Sequence, residues 1–324
     1  MRHILVTGGA GFIGSHFVRH AARGATNARV TVLDALTYAG DLRRIADVAS
    51  AITFVQGDIC DRALLDSLLA ADDASGVDAV VHFAAETHVD RSLADPAPFL
   101  RTNIAGTQTI LEAIRARGAL GPRLLHVSTD EVYGDLAAGD APFTERSPLA
   151  PSSPYSASKA AGDSLVLAWV RSYGLRATIV RGANNYGPFQ YPEKLIPVVI
   201  EHALAGRSIP LYGDGLQRRA WIHVEDYVGA LWTLLGADRP RHTVYNIPSE
   251  PDITNREVAE IVLDALSLPR TRIASVADRA GHDRRYAIDG TRFLEEFGWT
   301  LRHNMRESLP KVVAWEAHRR AAAG

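Results

Sequence analysis

Near the amino end, an apolar run, Ile4-Leu5-Val6, gives way to Thr7-Gly8-Gly9-Ala10-Gly11-Phe12-Ile13-Gly14, and an amphipathic stretch then continues through about Arg23. The spacing satisfies G-x-x-G-x-x-G and, from Gly9, G-x-G-x-x-G. Glycines there let the backbone turn sharply and approach a ligand closely, so that a pyrophosphate can sit on the N-terminus of the following helix. Gly8, Gly11, Phe12, Ile13 and Gly14 are therefore candidate cofactor contacts. A second apolar run, Val30-Thr31-Val32-Leu33, ends at Asp34, 20 residues after Gly14. A carboxylate at that strand end accepts hydrogen bonds from the ribose hydroxyls of adenosine and repels a 2′-phosphate, which predicts NAD rather than NADP. Arg43 and Arg44 lie farther along and are not placed to reverse that choice. Asp58-Ile59 follows the third strand, where a carboxylate can reach adenine; a turn or helix-cap aspartate before Cys60 is an equal reading.

Further apolar strands are expected at 53–55, 79–82, 124–127 and 177–180, separated by helical stretches such as 96–117 and 154–173. Short buried strands alternating with helices define an α/β chain with a Rossmann-type, doubly wound parallel sheet. Its ligands bind beyond the carboxyl ends of the strands. After about residue 184 the alternation breaks into segments punctuated by Pro and Gly, with helices expected at 192–205, 255–266 and 306–319. Strand-like stretches at 220–224 and 244–247 return towards the first domain. Residues 1–183 plus about 219–247 thus form an NAD-binding domain, and about 184–218 plus 248–324 a smaller, sequence-interleaved C-terminal lobe.

With 324 residues, 47% of them apolar, the chain has material for a substantial core. A formal charge of −2 gives no electrostatic case for a nucleic-acid or membrane partner. A single cysteine, Cys60, excludes an intrachain disulfide framework and a cysteine-based metal cluster, and fits a reducing, cytoplasmic setting. The first strand is expected to begin at His3, leaving no room for a signal segment, and no apolar run approaches the ~18 residues of a membrane span.

The chemistry concentrates in two segments. Leu124-Leu125-His126-Val127-Ser128 reads as a buried strand running into Thr129-Asp130-Glu131, and Tyr155 opens a helix on which Lys159 shares its face. Tyrosine titrates near pH 10, so a cationic Lys159 and a positive nicotinamide are expected to lower Tyr155 enough for it to take a proton from a sugar hydroxyl. Two neighbouring carboxyl groups in unlike environments titrate apart and can serve as acid and base. Together these groups suit elimination as well as hydride transfer.

The chain resembles the extended short-chain dehydrogenase/reductase superfamily and, within it, the dTDP-glucose 4,6-dehydratase family. The resemblance runs through the glycine turn, Ala84-Ala85-Glu86-Thr87-His88-Val89-Asp90-Arg91-Ser92, Ser128-Thr129-Asp130-Glu131-Val132-Tyr133-Gly134, Tyr155-Ser156-Ala157-Ser158-Lys159, Asn184-Asn185-Tyr186-Gly187-Pro188, Glu193-Lys194-Leu195-Ile196-Pro197 and Gly281-His282-Asp283-Arg284-Arg285-Tyr286. It implies that Tyr155 removes the C4 hydroxyl proton while hydride leaves C4 for NAD, that Glu131 abstracts the C5 proton, and that Asp130 protonates the departing C6 hydroxyl. Hydride then returns to C6, and Thr129 holds the C4 oxygen. It also implies that Ala84, Thr102 and Asn185 face NAD. Thr87, Asn184, Lys194, Leu195, Pro210, Leu211, Tyr212, Arg219 and Asn246 surround the nucleotide sugar, with Asp278, Arg279 and His282 closing over the diphosphate. Relatives form homodimers through two helices per subunit, here near 96–117 and 156–173.

Four positions depart from the family pattern: Thr87 for a serine, Gly182-Ala183 for Cys-Ser, Ala220 for an acidic residue and Ala280 for a proline. None belongs to the proton-transfer set. A UDP- or CDP-hexose 4,6-dehydratase remains an alternative. A nucleotide-sugar 4-epimerase would leave Asp130 and Glu131 idle, and a non-catalytic NAD-binding regulator would make all four reactive groups incidental.

Overall fold

The computed structural model describes residues 3–24, 28–70, 76–279 and 281–321; Ala280 lies outside them. Its centre is a seven-stranded sheet built from β1 (His3–Thr7), β2 (Arg29–Asp34), β3 (Ile52–Gln56), β4 (Ala79–His82), β5 (Arg123–Thr129), β6 (Ala177–Gly182) and the strand Val244–Asn246. The order across the sheet is Val244–Asn246, β6, β5, β4, β1, β2, β3, and every pairing is parallel. The chain winds outward from β1 to β3, then crosses back to β4 on the other side of β1. That reversal opens the crevice in which such sheets bind ligands.

All residues of β1 and β4 are buried, which fits the apolar runs Ile4-Leu5-Val6 and Ala79-Val80-Val81. Ile4 and Val6 join Phe17, Val32 and Leu231 in a core on one face, while Leu5 packs with Leu33, Val80, Leu111 and Val166 on the other. Successive strand side chains point to opposite faces, so one short run feeds both cores.

Pro154–Tyr173 is a single helix whose start is sharply defined. Ser153 and Ser156 form a reciprocal capping box, Pro154 supplies a preset φ, and Gly174 closes the far end at φ 68°. Tyr155 is thereby pinned in the first turn. The helix expected over 96–117 is instead three consecutive pieces, Ala97–Phe99, a wide π-type turn over Leu100–Gly106, and Thr107–Arg115. Within the wide turn Asn103 accepts from the Glu86 N–H at 2.9 Å and donates to Ser158 Oγ at 2.8 Å. Wide turns of this kind recur at functional sites.

A second core joins helices Leu195–Leu204, Asn255–Ala265 and Met305–Ala321 to the parallel strands Ile209–Tyr212 and Ile273–Val276. Trp221–His223 does not enter the large sheet as expected but pairs with Asn184–Tyr186. Ile222 packs in the first core and Trp221 in the second, so this strand ties the two together. Among the described residues no helix is long and apolar enough to cross a membrane.

Candidate active site

The turn after β1 is held by Gly8 N–H donating to Leu33 O (2.8 Å) and Gly11 N–H donating to Gly8 O (3.1 Å). Gly8 sits at φ +71°, and a Cβ there would lie 2.5 Å from Ala84 N; at Gly14 it would lie 2.2 Å from Gly8 O. No side chain caps the helix Phe12–Arg23, whose first N–H groups stay available to an anion. Asp34 accepts from Ala10 N–H (2.9 Å) and Leu36 N–H (2.8 Å), which aims its carboxylate; burial raises its pKa against those bonds. Arg44 is spent bracing the turn through Ala10 O (3.0 Å), and Arg43 pairs with Asp41 (2.8 Å) on the surface. Asp58 accepts from Cys60 N–H (2.8 Å) and pairs with Arg101 (2.7 Å), so the turn role and a wall position coexist in one side chain.

These residues open onto a cavity of about 330 Å³. Gly8, Gly11, Phe12, Ile13, Gly14, Asp34, Asp58, Ile59, Ala84, Thr102 and Asn185 all line it, as do Thr129, Asp130, Glu131, Tyr155 and Lys159. The tight glycines, aimed carboxylate and uncapped helix fit the pyrophosphate and ribose of NAD.

At the end of β5, Thr129 caps the short turn Asp130–Tyr133 by accepting from Glu131 N–H (3.3 Å), and it donates to Asp130 Oδ1 (3.3 Å). Asp130 is buried at 2% exposure, and desolvation together with the neighbouring Glu131 pushes its pKa up to about 8. Glu131, half-buried, is also raised by desolvation, while Arg219, Lys194 and Arg279 pull it back. Lys159 donates to Val127 O at 2.8 Å; burial lowers its pKa to about 8, with Asp163 opposing. The expected lowering of Tyr155 is not produced by the protein alone. Burial and the charge of Glu131 raise the phenol, and the hydrogen bond with Thr129 only partly offsets them.

Behind this group lies a second, fully buried polar cluster. Asp163 accepts from Arg181 Nε (2.9 Å) and faces His126 Nε2 (3.5 Å), Arg181 Nη1 donates to Tyr133 Oη (2.7 Å), and Tyr133 Oη donates to Asn246 Oδ1 (2.8 Å). Asn246 also donates to Phe143 O (3.0 Å) and Asp289 O (3.2 Å). Its amide is therefore committed to the interior, and it does not line the cavity as expected of a sugar ligand.

Of the other expected sugar contacts, Thr87, Asn184 and Lys194 line the cavity, with Lys194 Nζ donating to Thr87 O at 2.8 Å. Leu211 does not: it is 2% exposed in the second core, because alternation along Ile209–Tyr212 turns Ile209 and Leu211 inward and Pro210 and Tyr212 the other way. Leu195 packs on that same core, and neither it nor Pro210 reaches the cavity wall. Tyr212 donates to Asp90 (3.1 Å), Arg279 pairs with Asp90 (3.2 Å), and His282 meets Asp278 (2.6 Å), a cluster outside the wall proper. Arg219 stacks 4.2 Å from the Tyr286 ring and donates to Asp283 O (2.9 Å), yet its charge acts on both Asp130 and Glu131. Asn103, which bridges Glu86 and Ser158, and Tyr227, which lines the cavity, stand in no local sequence pattern that singles them out.

A doubly wound sheet whose switch-point cavity holds both a dinucleotide turn and a tyrosine/lysine pair defines the class, and the chain belongs to the NAD dependent epimerase/dehydratase family, whose model matches residues 4–247. The dTDP-glucose 4,6-dehydratase of Mycolicibacterium smegmatis is 51% identical over 314 residues, covering 96% of this chain and 92% of that one. A solved dTDP-glucose 4,6-dehydratase from Streptomyces venezuelae, with NAD and TDP bound, matches with a TM-score of 0.92 at 45% identity over 98% of each chain. The UDP-glucose 4-epimerase of Thermus thermophilus, in complex with NAD, matches with a TM-score of 0.86 at 30% identity, covering 96% of this chain and 98% of that one. The resemblance carried by the motifs and the doubly wound fold are both borne out.

Proposed function

We propose that the protein dehydrates a nucleotide hexose, converting dTDP-glucose to dTDP-4-keto-6-deoxyglucose in an NAD-dependent cycle. One observation carries this reading: two adjacent carboxyl groups in unlike environments line the same cavity as the Tyr155/Lys159 pair. A 4-epimerase has no use for the first two.

The chemistry NAD supplies when bound is storage of a hydride between C4 and C6. Tyr155 takes the C4 hydroxyl proton. Because burial and Glu131 raise its phenol, it works as a base only beside positive charge, and Lys159, one turn along, is the chain's own source. The C4 ketone acidifies C5. Glu131, kept within reach of its carboxylate form by Arg219 and Lys194, takes the C5 proton. Asp130, protonated at neutral pH, gives its proton to the C6 oxygen as water leaves. Thr129 holds the C4 oxygen. Thr87, Asn184 and Lys194 contact the sugar, while Arg219 and the Tyr212, Asp278, Arg279 and His282 cluster serve the diphosphate. The same reading divides the chain into the NAD-binding and nucleotide-sugar parts given above, and places the protein in the cytoplasm as a homodimer. Leu100, Leu167 and Tyr173, exposed on the two helical stretches expected at the interface, support the dimer.

The test is incubation with dTDP-glucose and with UDP-glucose, followed by alkaline ultraviolet detection of a 4-keto sugar. A product from dTDP-glucose at the higher kcat/KM is expected; the missing methyl and added hydroxyl of the uridine nucleotide differ by about 1–3 kcal/mol. Equal kcat/KM would overturn the dTDP assignment, and absence of a 4-keto product would overturn the reaction. Deuterium placed at C4 is expected at C6 of the product.

A further inference from the structure

A second group of donor side chains lies where the two cores meet. His223 ends the strand Trp221–His223 and caps the helix Val224–Gly236, Glu225 stands in the first turn of that helix, and His303 sits two residues ahead of the helix Met305–Ala321. One ligand atom from each lies within 4.8 Å of the other two. Among the described residues this is the one such trio of histidine, cysteine and carboxylate side chains. None of the three lines the reaction cavity.

The surrounding fold holds these groups in place. His223 is buried, with its ring edge-on to Tyr186 at 5.2 Å and face to face with His303 at 4.0 Å. Asp226, also buried, accepts from the backbone N–H groups of Arg302 and His303 at 3.0 and 2.9 Å, which fastens the His303 segment to the start of the helix Val224–Gly236. The same carboxylate lies 3.0 Å from His303 Nδ1, and Nε2 of that ring stands 3.3 Å from Glu225 Oε2. That second separation is wide for a charge-assisted hydrogen bond, for which about 2.7–2.9 Å is usual. Two ligand atoms each roughly 2.0–2.2 Å from one tetrahedral ion stand about 3.4 Å apart. A carboxylate behind the far nitrogen is the usual companion of a metal-bound histidine.

We infer that His223, Glu225 and His303 form a binding site for one divalent transition ion of the zinc class, with Asp226 as the outer carboxylate on His303 and water in the remaining position. Two imidazoles select zinc, cobalt or nickel over magnesium and calcium, which take oxygen ligands. Glu225 and Asp226 together balance the two charges of the ion, while Lys311, whose charge reaches His223, opposes it. Each ligating nitrogen must be free of its proton, which goes to solvent. His223 belongs to the strand that ties the two cores together, and His303 leads into the last helix. The work of the ion is therefore mechanical: it clamps that helix to the first core.

The experiment uses the untagged full chain, treated with EDTA and then dialysed against Zn²⁺ alone or Mg²⁺ alone. Wild type is expected to hold one Zn²⁺ per chain and to unfold roughly 5 °C higher when zinc is at about 100 times its Kd, whereas Mg²⁺ does neither. Co²⁺ in place of zinc is expected to give the visible absorption of an ion held by nitrogen and oxygen. His303→Gln, His223→Asn, which keeps an acceptor for the Glu225 N–H, and Glu225→Gln, at an exposed position, are each expected to bind at least about tenfold more weakly and to lose the cobalt spectrum. His318→Gln, which removes an exposed histidine of the last helix, is expected to bind as wild type does. Equal affinity in wild type and the three site variants would show adventitious binding and overturn the inference. So would a wild type that binds no zinc, which would leave His303 as an imidazolium held between two carboxylates. Where a histidine variant fails to fold, Glu225→Gln decides the matter alone. Since no readout uses the sugar substrate, the site stands or falls independently of the dehydratase reading.

Discussion

Asp130 and Asp163 are almost equally buried, at 2% and 0% exposure, yet the protein moves their pKa values in opposite directions. Asp163 receives Arg181 Nε at 2.9 Å and faces His126; desolvation raises it, but these partners win and hold it below the usual carboxylate range. Asp130 has a like-charged neighbour, Glu131, and one long bond from Thr129, and is pushed up to about 8. Depth sets the desolvation penalty in both, and partners decide the sign. The paired carboxylate anchors the wall beneath Lys159, while the poorly paired one keeps a proton available at neutral pH.

The largest effect separating the two regions is on rate. Asp130→Asn is expected to slow dehydration roughly 10²–10⁴-fold, as for loss of a proton-transfer group, with no loss of folding stability, because a neutral amide replaces a neutral acid. Glu131→Gln is expected to slow water loss on the same scale while still forming reduced nicotinamide in a single turnover; Tyr155→Phe is expected to form none. Rapid-mixing absorbance with product analysis checks all three. An Asp130→Asn enzyme that eliminates water at the normal rate would erase the distinction.

Next in size is stability at the paired site. Asp163→Asn leaves the buried Arg181 guanidinium uncompensated, and removal of one partner from such a pair costs about 3–5 kcal/mol. Urea unfolding is expected to show a lower midpoint with an unchanged slope. A loss below about 1 kcal/mol would mean that Arg181 finds other partners, Tyr133 Oη being the nearest at 2.7 Å.

The two regions also differ in how far they could be read from sequence. The glycine turn, Asp34, the Tyr155/Lys159 face and the order of strands and helices are local patterns, each written within about one strand–turn–helix unit. Asn246 and Leu211 were misplaced because their fates depend on which face of a strand points inward and on partners far along the chain, such as Tyr133, 113 positions away from Asn246. The wide turn at Leu100–Gly106 is set by bonds from Asn103 to Glu86 and Ser158, which no helical periodicity encodes. The network of Asp163, Arg181 and His126 left no mark because a buried ion pair and a surface one look alike in sequence.

A third effect tests the opposite signs through pH. The folded-state pKa of Asp130 lies above its ordinary value, so its favourable protonated form is fully matched below about pH 4. Wild type should then lose stability relative to Asp130→Asn as pH rises towards about 8, with a slope near 1.4 kcal/mol per pH unit for one proton. Asp163 is lowered, so its contribution is present above the ordinary carboxylate range and is lost as pH falls below it. Wild type minus Asp163→Asn should thus fall on acidification, while wild type minus Asp130→Asn rises. Parallel curves for the two differences would contradict the contrast.

The smallest expected effect concerns the hydrogen bond that Asp130 accepts from Thr129. Thr129 Oγ1 donates to its Oδ1 at 3.3 Å and lowers its pKa, opposing burial and Glu131. Thr129→Val retains the shape of the side chain but removes that donor together with the cap on Glu131 N–H, a loss of about 1 kcal/mol of stability. With the donor gone, Asp130 becomes a weaker acid, and the basic limb of the pH profile for elimination, where rate falls as Asp130 ionises, moves to higher pH by roughly 0.7 unit for a bond of that size. Thr129 also bonds Tyr155, and the charge of Asp130 acts on the same phenol, so C4 oxidation changes as well and has to be followed separately from elimination. Measuring the two steps separately across pH 6–9 isolates the shift, a range set roughly one to two units either side of where Asp130 titrates. A limb that stays in place, or moves to lower pH, would mean that Thr129 does not set the acidity of Asp130 and that burial, with its neighbours Glu131 and Arg219, decides where this carboxyl titrates.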